Sequence, residues 1–333
     1  MTDEGGRETA LWALADLVTP MAVRVAATLR IADHLADGQQ TAPALAEATN
    51  VNVDALDRVL RHLVTVDVFS RDESGRYGLT ALGEALRDDG VRTMLDIEGA
   101  IGRADLSFVR LLDSVRTGQP AFAEQFGRPF WDDLAADPAR TRSYDAQMGA
   151  DADGWAKAIA PAYDWGSLGH LVDVGGGNAT VLSAILKHYP TLRGTVLDQP
   201  ATAETARKAL TARGLADRAA AIAGSFFDPL PPGAGGYLLT AILHDWDDNA
   251  ARAILRRCAE AAGTAGSVFV VERVGADGES PNTGMDLRML AYFGGRERGV
   301  AGIVALGEDA GLKLTAVYPA GTLAIVQLAA TPH

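Results

Sequence analysis

A chain of 333 residues with one cysteine cannot form an intrachain disulfide or a thiolate-rich metal site. Cys258 lies in the helical pattern Ile254-Leu255-Arg256-Arg257-Cys258-Ala259 and reads as an inert packed thiol. Positive charge is scarce: 30 basic residues face 43 acidic ones, for a net charge of −13. That balance disfavours nucleic acid and anionic lipid as partners, since both demand a positive face. No apolar run approaches the roughly 20 residues that span a bilayer, and the acidic, polar start Met1–Gly6 does not read as a signal peptide. The expectation is a soluble, cytoplasmic protein. Lysine is rarer still, four against 26 arginines, a usage that points to a GC-rich bacterial genome.

What is present supports a real core. Apolar residues make up 48% and charged residues 22%, and the length suits a domain of about 150–200 residues plus a smaller one. From Glu8 to Leu35, Leu11, Leu14, Leu17, Val18, Met21, Val25 and Leu29 recur at helical spacing, with Pro20 expected to break or kink the segment. Such a terminal apolar face needs a cover, either from its own chain or from a second copy, and a dimer is the expected form.

Residues 41–90 read as a winged helix. Thr41 caps a short helix, Asn52 or Asp54 opens a second, and Val68-Phe69-Ser70-Arg71 pairs with Arg76-Tyr77-Gly78-Leu79 across a polar turn. A winged helix can read DNA, but nine acids against five arginines in this window is the wrong sign for phosphate contacts. Residues 91–165 read as connecting helices with an aromatic middle (Phe108, Phe122, Phe126, Phe130, Trp131, Tyr144, Trp155, Tyr163). Most of those rings will be core.

From residue 168 strands and helices alternate. Strand patterns run His170–Val174, Arg193–Leu197, Ala219–Ala223, Tyr237–Leu243 and Ser267–Glu272, with helices near 178–188, 201–212 and 248–262. This is the α/β alternation of a parallel sheet covered on both faces. Leu312–Tyr318 and Thr322–Leu328 are joined only by Pro319-Ala320-Gly321. So short a link cannot make a parallel crossover, so these two strands should be antiparallel neighbours.

The chemistry concentrates where the strand Leu171-Val172-Asp173-Val174 runs into Gly175-Gly176-Gly177, with Asp198 at the tip of the next strand. Glycine is needed where the backbone turns tightly and approaches a ligand, and a second acid is placed for ribose hydroxyls. The dinucleotide fingerprint would need a third glycine where Thr180 stands, which argues against a nicotinamide cofactor. S-adenosylmethionine, with its ammonium, sulfonium and ribose, suits acids at two strand tips. His244 ends an apolar strand, and the bland reading of His244-Asp245-Trp246-Asp247-Asp248 is a helix entrance capped by Asp245. That accounts for the aspartates, not for the histidine.

With Asp173-Val174-Gly175-Gly176-Gly177, Leu197-Asp198, Gly224-Ser225-Phe226-Phe227-Asp228-Pro229, His244-Asp245-Trp246-Asp247-Asp248, Asp286-Leu287-Arg288-Met289-Leu290 and Gly294-Gly295-Arg296-Glu297-Arg298, the chain resembles the metal-independent small-molecule O-methyltransferases, which include plant caffeate-type and bacterial antibiotic-pathway enzymes. The resemblance covers nearly the whole chain. It implies a helical, winged-helix-like dimerisation domain over 1–95, a helical connection over 96–165 lining the substrate pocket, and a Rossmann-like class I methyltransferase domain with a terminal antiparallel hairpin over 166–330. It further implies a homodimer that uses S-adenosylmethionine, yields S-adenosylhomocysteine and needs no metal. The acceptor would be a phenolic aromatic intermediate, polyketide or naphthoate-like.

By the same resemblance His244 is the general base, flanked by Glu297 and Glu272, which on their own read as surface acids. Asp173, Gly175, Gly177, Asp198, Ser225 and Phe226 fall to the cofactor. Met148, Met289, Trp131 and Asp245 fall to the acceptor, with core filling the alternative for the methionines. The chain departs from the family pattern at Ser225, usually aspartate, at Thr240, a lysine in plant members, and at Ala179, often glycine. Relatives that bind the cofactor without methyl transfer, hydroxylase-like, are the alternative, though they tend to lack the histidine. Arg7, Arg24 and Arg288 are candidates to pair with a substrate carboxylate.

Overall fold

The structure, a computed structural model, describes residues 4–275 and 278–330. The chain divides into two compact units, Met1–Leu106 with Leu134–Tyr144, and Ser107–Asp133 with Asp145–His333. Segment 96–165 is thus shared between them.

In the first unit the N-terminal periodicity resolves into α1 (Glu4–Ala15) and α2 (Val18–Thr28). The break falls at Asp16-Leu17, where the Asp16 carboxylate accepts from the Val18 N–H at 3.1 Å. Pro20 does not break the helix, because it sits in the first turn of α2, where its missing N–H is no loss. A correction applies to the membrane argument: Ala10–Thr28 is apolar enough over 19 residues to cross a bilayer by composition and length, with a mean hydropathy of 1.4. Yet the segment is broken at Asp16-Leu17, and Leu11, Trp12, Leu14, Leu17 and Val18 stand exposed on it. Two capped helices follow. Thr41 accepts from Ala44 N–H ahead of α3 (Ala42–Thr49), and Asn52, not Asp54, accepts from Ala55 N–H ahead of α4 (Val53–Thr65). The wing is β1 (Phe69–Arg71) antiparallel to β2 (Tyr77–Leu79). Ile31, Leu45, Leu60, Leu63, Phe69 and Tyr77 form its core.

In the second unit α5 (Ala121–Phe126) precedes α6 (Phe130–Ala135) and the long α7 (Pro138–Ile159). The unit boundaries cut α6 after Asp133 and α7 after Tyr144. Then come β3 (His170–Val174), α8 (Thr180–His188), β4 (Arg193–Asp198), α9 (Pro200–Ala212), β5 (Ala219–Ala223), β6 (Gly236–Thr240), α10 (Asp248–Ala262) and β7 (Ser267–Glu272). The chain closes with α11 (Thr283–Tyr292), α12 (Val300–Asp309), β8 (Leu312–Ala320) and β9 (Leu323–Ala330). Among the described residues these seven strands form one sheet in the order β5-β4-β3-β6-β7-β9-β8. The first five are parallel, and β9 runs antiparallel to both β7 and β8. β9 slots between β7 and β8, so the closing hairpin satisfies the edge of β7.

The topology decides where a ligand goes. From β3 the chain first winds outward through β4 and β5, then returns to lay β6 on the other side of β3. At that switch point the connections leave in opposite directions and open a crevice beyond the strands' C-terminal ends. Asp173, Asp198 and His244 all lie at this edge. β6 stops at Thr240 rather than at Leu243, because Ala241 adopts a φ of 52° and Leu243–Asp245 tighten into a 3₁₀ turn. His244 is therefore on a turn, not on a strand end.

Candidate active site

The first half of the site is built around the glycine turn. Asp173 is 1% exposed, and neither of its carboxylate oxygens has a hydrogen-bond partner. Burial, reinforced by Asp198, pushes its carboxyl up to about 7. The turn fits tightly over it: a Cβ at Gly176 would stand 2.5 Å from Asp173 Oδ2. At Gly175, with φ +74°, a Cβ would meet Ile242 Cδ1 at 2.6 Å and Phe226 Cε1 at 3.5 Å. Only glycine serves both positions. The Gly177 N–H donates to Asp198 Oδ2 at 2.9 Å, which aims the second carboxylate at the turn. Burial raises the Asp198 carboxyl against the lowering effect of the Gly177 and Gln199 N–H groups, and Asp145 raises it further.

Two features of this half were not foreseen. Ala179, just ahead of α8, holds a left-handed φ of 64° and is fully buried. Arg213 braces the turn from behind: its guanidinium donates to Asn178 O at 3.1 Å, Ser183 Oγ at 3.0 Å and Thr180 Oγ1 at 3.1 Å. No motif marks Arg213; only the packing of its loop reveals it. Ser225 turns inward on its own loop, its Oγ accepting from the Phe227 N–H at 3.2 Å. Phe226 stands edge-on to Phe227 and Trp246. A buried carboxylate without a partner, beneath a turn that any side chain would obstruct, suits a ligand that brings its own positive charge. The residues fit a sulfonium cofactor with an ammonium and a ribose.

The second half gathers four titratable groups. His244 Nδ1 lies 2.8 Å from Glu297 Oε1 and 3.9 Å from Glu272 Oε2, while Nε2 lies 3.5 Å from Asp245 Oδ1. Burial alone would pull the imidazole down, but Glu272, Asp245 and Glu297 outweigh it and push His244 up to about 10. Burial pushes the carboxyls of Glu272 and Asp245 up as well, against the lowering pull of His244. The two glutamates each have a second anchor. Glu272 Oε1 accepts from the Leu243 N–H at 3.0 Å, and Glu297 Oε2 accepts from Ser280 Oγ at 3.2 Å. Asp245 is not the helix cap: Asp247 accepts from Ala250 N–H at 2.8 Å, leaving Asp245 beside the imidazole.

Arg298 fastens the His244 turn to the Glu297 segment. Its side chain is 5% exposed and donates to Leu243 O at 2.7 Å, Trp246 O at 2.8 Å and Asp248 Oδ1 at 2.8 Å. The backbone joins as well, with Arg296 N–H donating to His244 O at 2.8 Å. A Cβ at Gly295 would lie 2.2 Å from that same carbonyl. Sequence reading named the motif around Arg298 but not this role; an arginine one residue from a motif acid was the available signal.

Ile242 joins the halves, since it touches the glycine turn and stands two residues before His244. The expected acceptor residues are more scattered. Met289 is buried on α11, and Trp131 on α6 stacks on Phe293 with rings 5.2 Å apart and 11° from parallel. Met148 lies on α7 next to Gly149, whose Cβ position is 3.1 Å from Asn178 Nδ2 in the glycine turn. Of the candidate arginines, Arg24 forms an ion pair with Asp105 and is committed there; the Arg7 side chain lies outside the described residues. An open groove of about 500 Å³ that includes Asp96, Arg103, Asp137 and Arg140 belongs to the first unit and shares no residue with either half.

Comparison with known proteins accords with this geometry. Residues 108–313 match the model of the O-methyltransferase domain, and residues 12–89 match that of the O-methyltransferase dimerisation domain. Over 323 residues the chain is 54% identical to 2,7-dihydroxy-5-methyl-1-naphthoate 7-O-methyltransferase of Streptomyces carzinostaticus, covering 96% of this chain and 97% of that one. Over 318 residues it is 44% identical to aclacinomycin 10-hydroxylase RdmB of Streptomyces purpurascens, covering 93% of this chain and 85% of that one. It is similar, with a TM-score of 0.91 and 53% identity, to the crystal structure of an O-methyltransferase (NcsB1) from neocarzinostatin biosynthesis in complex with S-adenosylmethionine and 2-hydroxy-5-methyl naphthoic acid. That similarity covers 96% of this chain and 98% of the other. A glycine turn over a buried acid, a histidine held by glutamates, and sequence identity along nearly the whole length lead to one conclusion: the chain belongs to the O-methyltransferase family.

Proposed function

We propose that this protein is an S-adenosylmethionine-dependent O-methyltransferase, active as a homodimer, that methylates a phenolic hydroxyl of a naphthoate-like aromatic acid in antibiotic biosynthesis. The acceptor class follows from the naphthoate named for the 54% identical relative and the naphthoic acid bound in the similar crystal structure. The exposed Leu11, Trp12 and Leu14 fall in or beside the segment matched by the dimerisation model and supply the apolar face for a second copy.

One observation carries the catalytic reading: the 2.8 Å contact between His244 Nδ1 and Glu297 Oε1. A glutamate on Nδ1 holds the proton there and leaves the Nε2 lone pair to accept the phenolic proton. When bound, the cofactor supplies a methyl group already activated by its sulfonium, and the phenol oxygen gains that carbon as the carbon–sulfur bond breaks. The carboxylates of Glu297 and Glu272 stabilise the imidazolium that proton transfer creates. Phenols titrate near ~10, which matches an imidazole raised to about 10 and makes proton sharing in the transition state effective. Asp173 and Asp198 hold the cofactor's cationic and ribose ends, Phe226 lies against the turn, and Ser225, whose oxygen accepts from the Phe227 N–H, has only its hydroxyl proton to offer the adenine. Met148, Met289, Trp131 and Asp245 form the acceptor side.

The test is turnover of methyl-labelled cofactor with a hydroxynaphthoate panel. The unsubstituted protein should yield a labelled methyl ether. His244→Ala should lose about 10²–10⁴ in kcat while binding S-adenosylhomocysteine within twofold of the parent. Unchanged turnover in that variant would remove the base assignment. The 44% identical hydroxylase supports a second reading, cofactor binding without methyl transfer; a hydroxylated rather than methylated product would favour it.

A further inference from the structure

Asp145 acts on Asp198 from a third element of the fold. It lies on α7 one helical turn before Gly149, and residues four apart on a helix share a face. Gly149 abuts the glycine turn at Asn178, so that face of α7 looks onto the cofactor crevice. Asp145 is only partly shielded from solvent, and its charge helps to raise the carboxyl of Asp198. Burial raises the Asp145 carboxyl too. Below them sits Asp173, buried and without a hydrogen-bond partner. Carboxylates from α7, β3 and β4 thus converge on one crevice.

We infer that Asp145 is the third carboxylate of the cofactor crevice and makes it charge-selective, holding the cationic methyl donor more tightly than the product. This inference rests on the cofactor reading above. The donor carries a sulfonium, an ammonium and a carboxylate, for a net charge of +1; the product has lost the sulfonium charge and is neutral. The two ligands share every other group. A carboxylate cluster therefore separates them by electrostatics alone, and the charge that favours entry vanishes when the methyl group leaves. Product inhibition is weakened by the reaction itself. A single carboxylate several ångströms from a cation across a half-wet crevice is worth about three- to tenfold in affinity.

The experiment measures dissociation constants of S-adenosylmethionine and S-adenosylhomocysteine by calorimetry on the full chain, without acceptor. The variants are Asp145→Asn and, as a charge control at the opposite edge of the sheet, Glu308→Gln, an exposed acid near the end of α12. Asp145→Asn should weaken the methyl donor about three- to tenfold and the product less than twofold. Glu308→Gln should move neither. Equal weakening of both ligands by Asp145→Asn, or no change in either, overturns the inference, as does a Glu308→Gln variant that behaves like Asp145→Asn. If the unsubstituted protein binds neither ligand, the cofactor reading itself fails, a result distinct from any of these.

Discussion

Replacing Glu297 by glutamine tests the proton inventory of the site. The amide can still accept a hydrogen bond from His244 Nδ1 at the observed 2.8 Å, but the negative charge is gone. An opposite charge at such range usually shifts a partner by roughly 1–3 units. Glu272 and Asp245 remain, so a loss of about 1–2 units is expected, worth about 1.4–2.8 kcal/mol. The sign matters. In the parent an imidazole held up at about 10 is largely protonated at neutral pH and becomes competent as a base only as pH rises. The kcat/KM of the parent should therefore climb with pH toward that value. In Glu297→Gln the climb should level off about 1–2 units earlier, at a plateau about 10- to 100-fold lower. The ratio of parent to variant activity then widens with pH, because near neutrality the variant gains neutral imidazole as it loses transition-state stabilisation. The assay is initial methylation rate from pH 6 to 10.5, with thermal unfolding monitored at each pH. A parent profile flat across that range, or a variant profile merely scaled down in parallel, would refute the idea that the carboxylates set the proton affinity of His244.

Two further substitutions probe the supports. Arg298→Lys keeps the charge but cannot fork to Leu243 O, Trp246 O and Asp248 Oδ1 together. It should cost about 2–4 kcal/mol of stability and lower kcat more than it raises KM; unchanged melting and kinetics would show that the His244 turn does not depend on it. Ala179 pairs a left-handed φ of 64° with full burial. Ala179→Val should cost about 2–4 kcal/mol in chemical denaturation. Ala179→Gly should stay within about 1 kcal/mol, since relief of backbone strain (about 1–2 kcal/mol) offsets a lost methyl and a freer unfolded chain. A valine tolerated as well as glycine would mean that the backbone there is not left-handed.

The Rossmann-like half was legible because its signals are local. Largely apolar runs with a glycine at one or both ends marked β3, β5 and β7 to the residue, and the short link at Gly321-Thr322 settled the antiparallel closure. Boundaries went astray where tertiary contacts override propensity. Leu243 is as apolar as its neighbours, yet Ala241 turns the chain early, with its N–H still donated to Val271 O at 2.9 Å and Glu272 waiting to take the Leu243 N–H. Pro20 looked like a breaker and became a first-turn residue because the interruption lay two residues upstream of α2's first turn, at Asp16. Asp245 looked like the cap, while Asp247 took that position.

The amino-acid order by itself determined which residues are chemically able: a turn only glycine can make, acids at two strand tips, and a histidine ahead of a helix, each specified by neighbours a few positions away. It could not decide what those groups would experience. Asp173 is left without a partner, His244 is enclosed by acids from residues 245, 272 and 297, and Arg213 and Arg298 reach back across 35 and 55 residues. Burial and charge proximity exist only once strands β3, β4, β6 and β7 lie side by side. Proton affinities depend on distance through space, so that part of the chemistry belongs to the folded molecule.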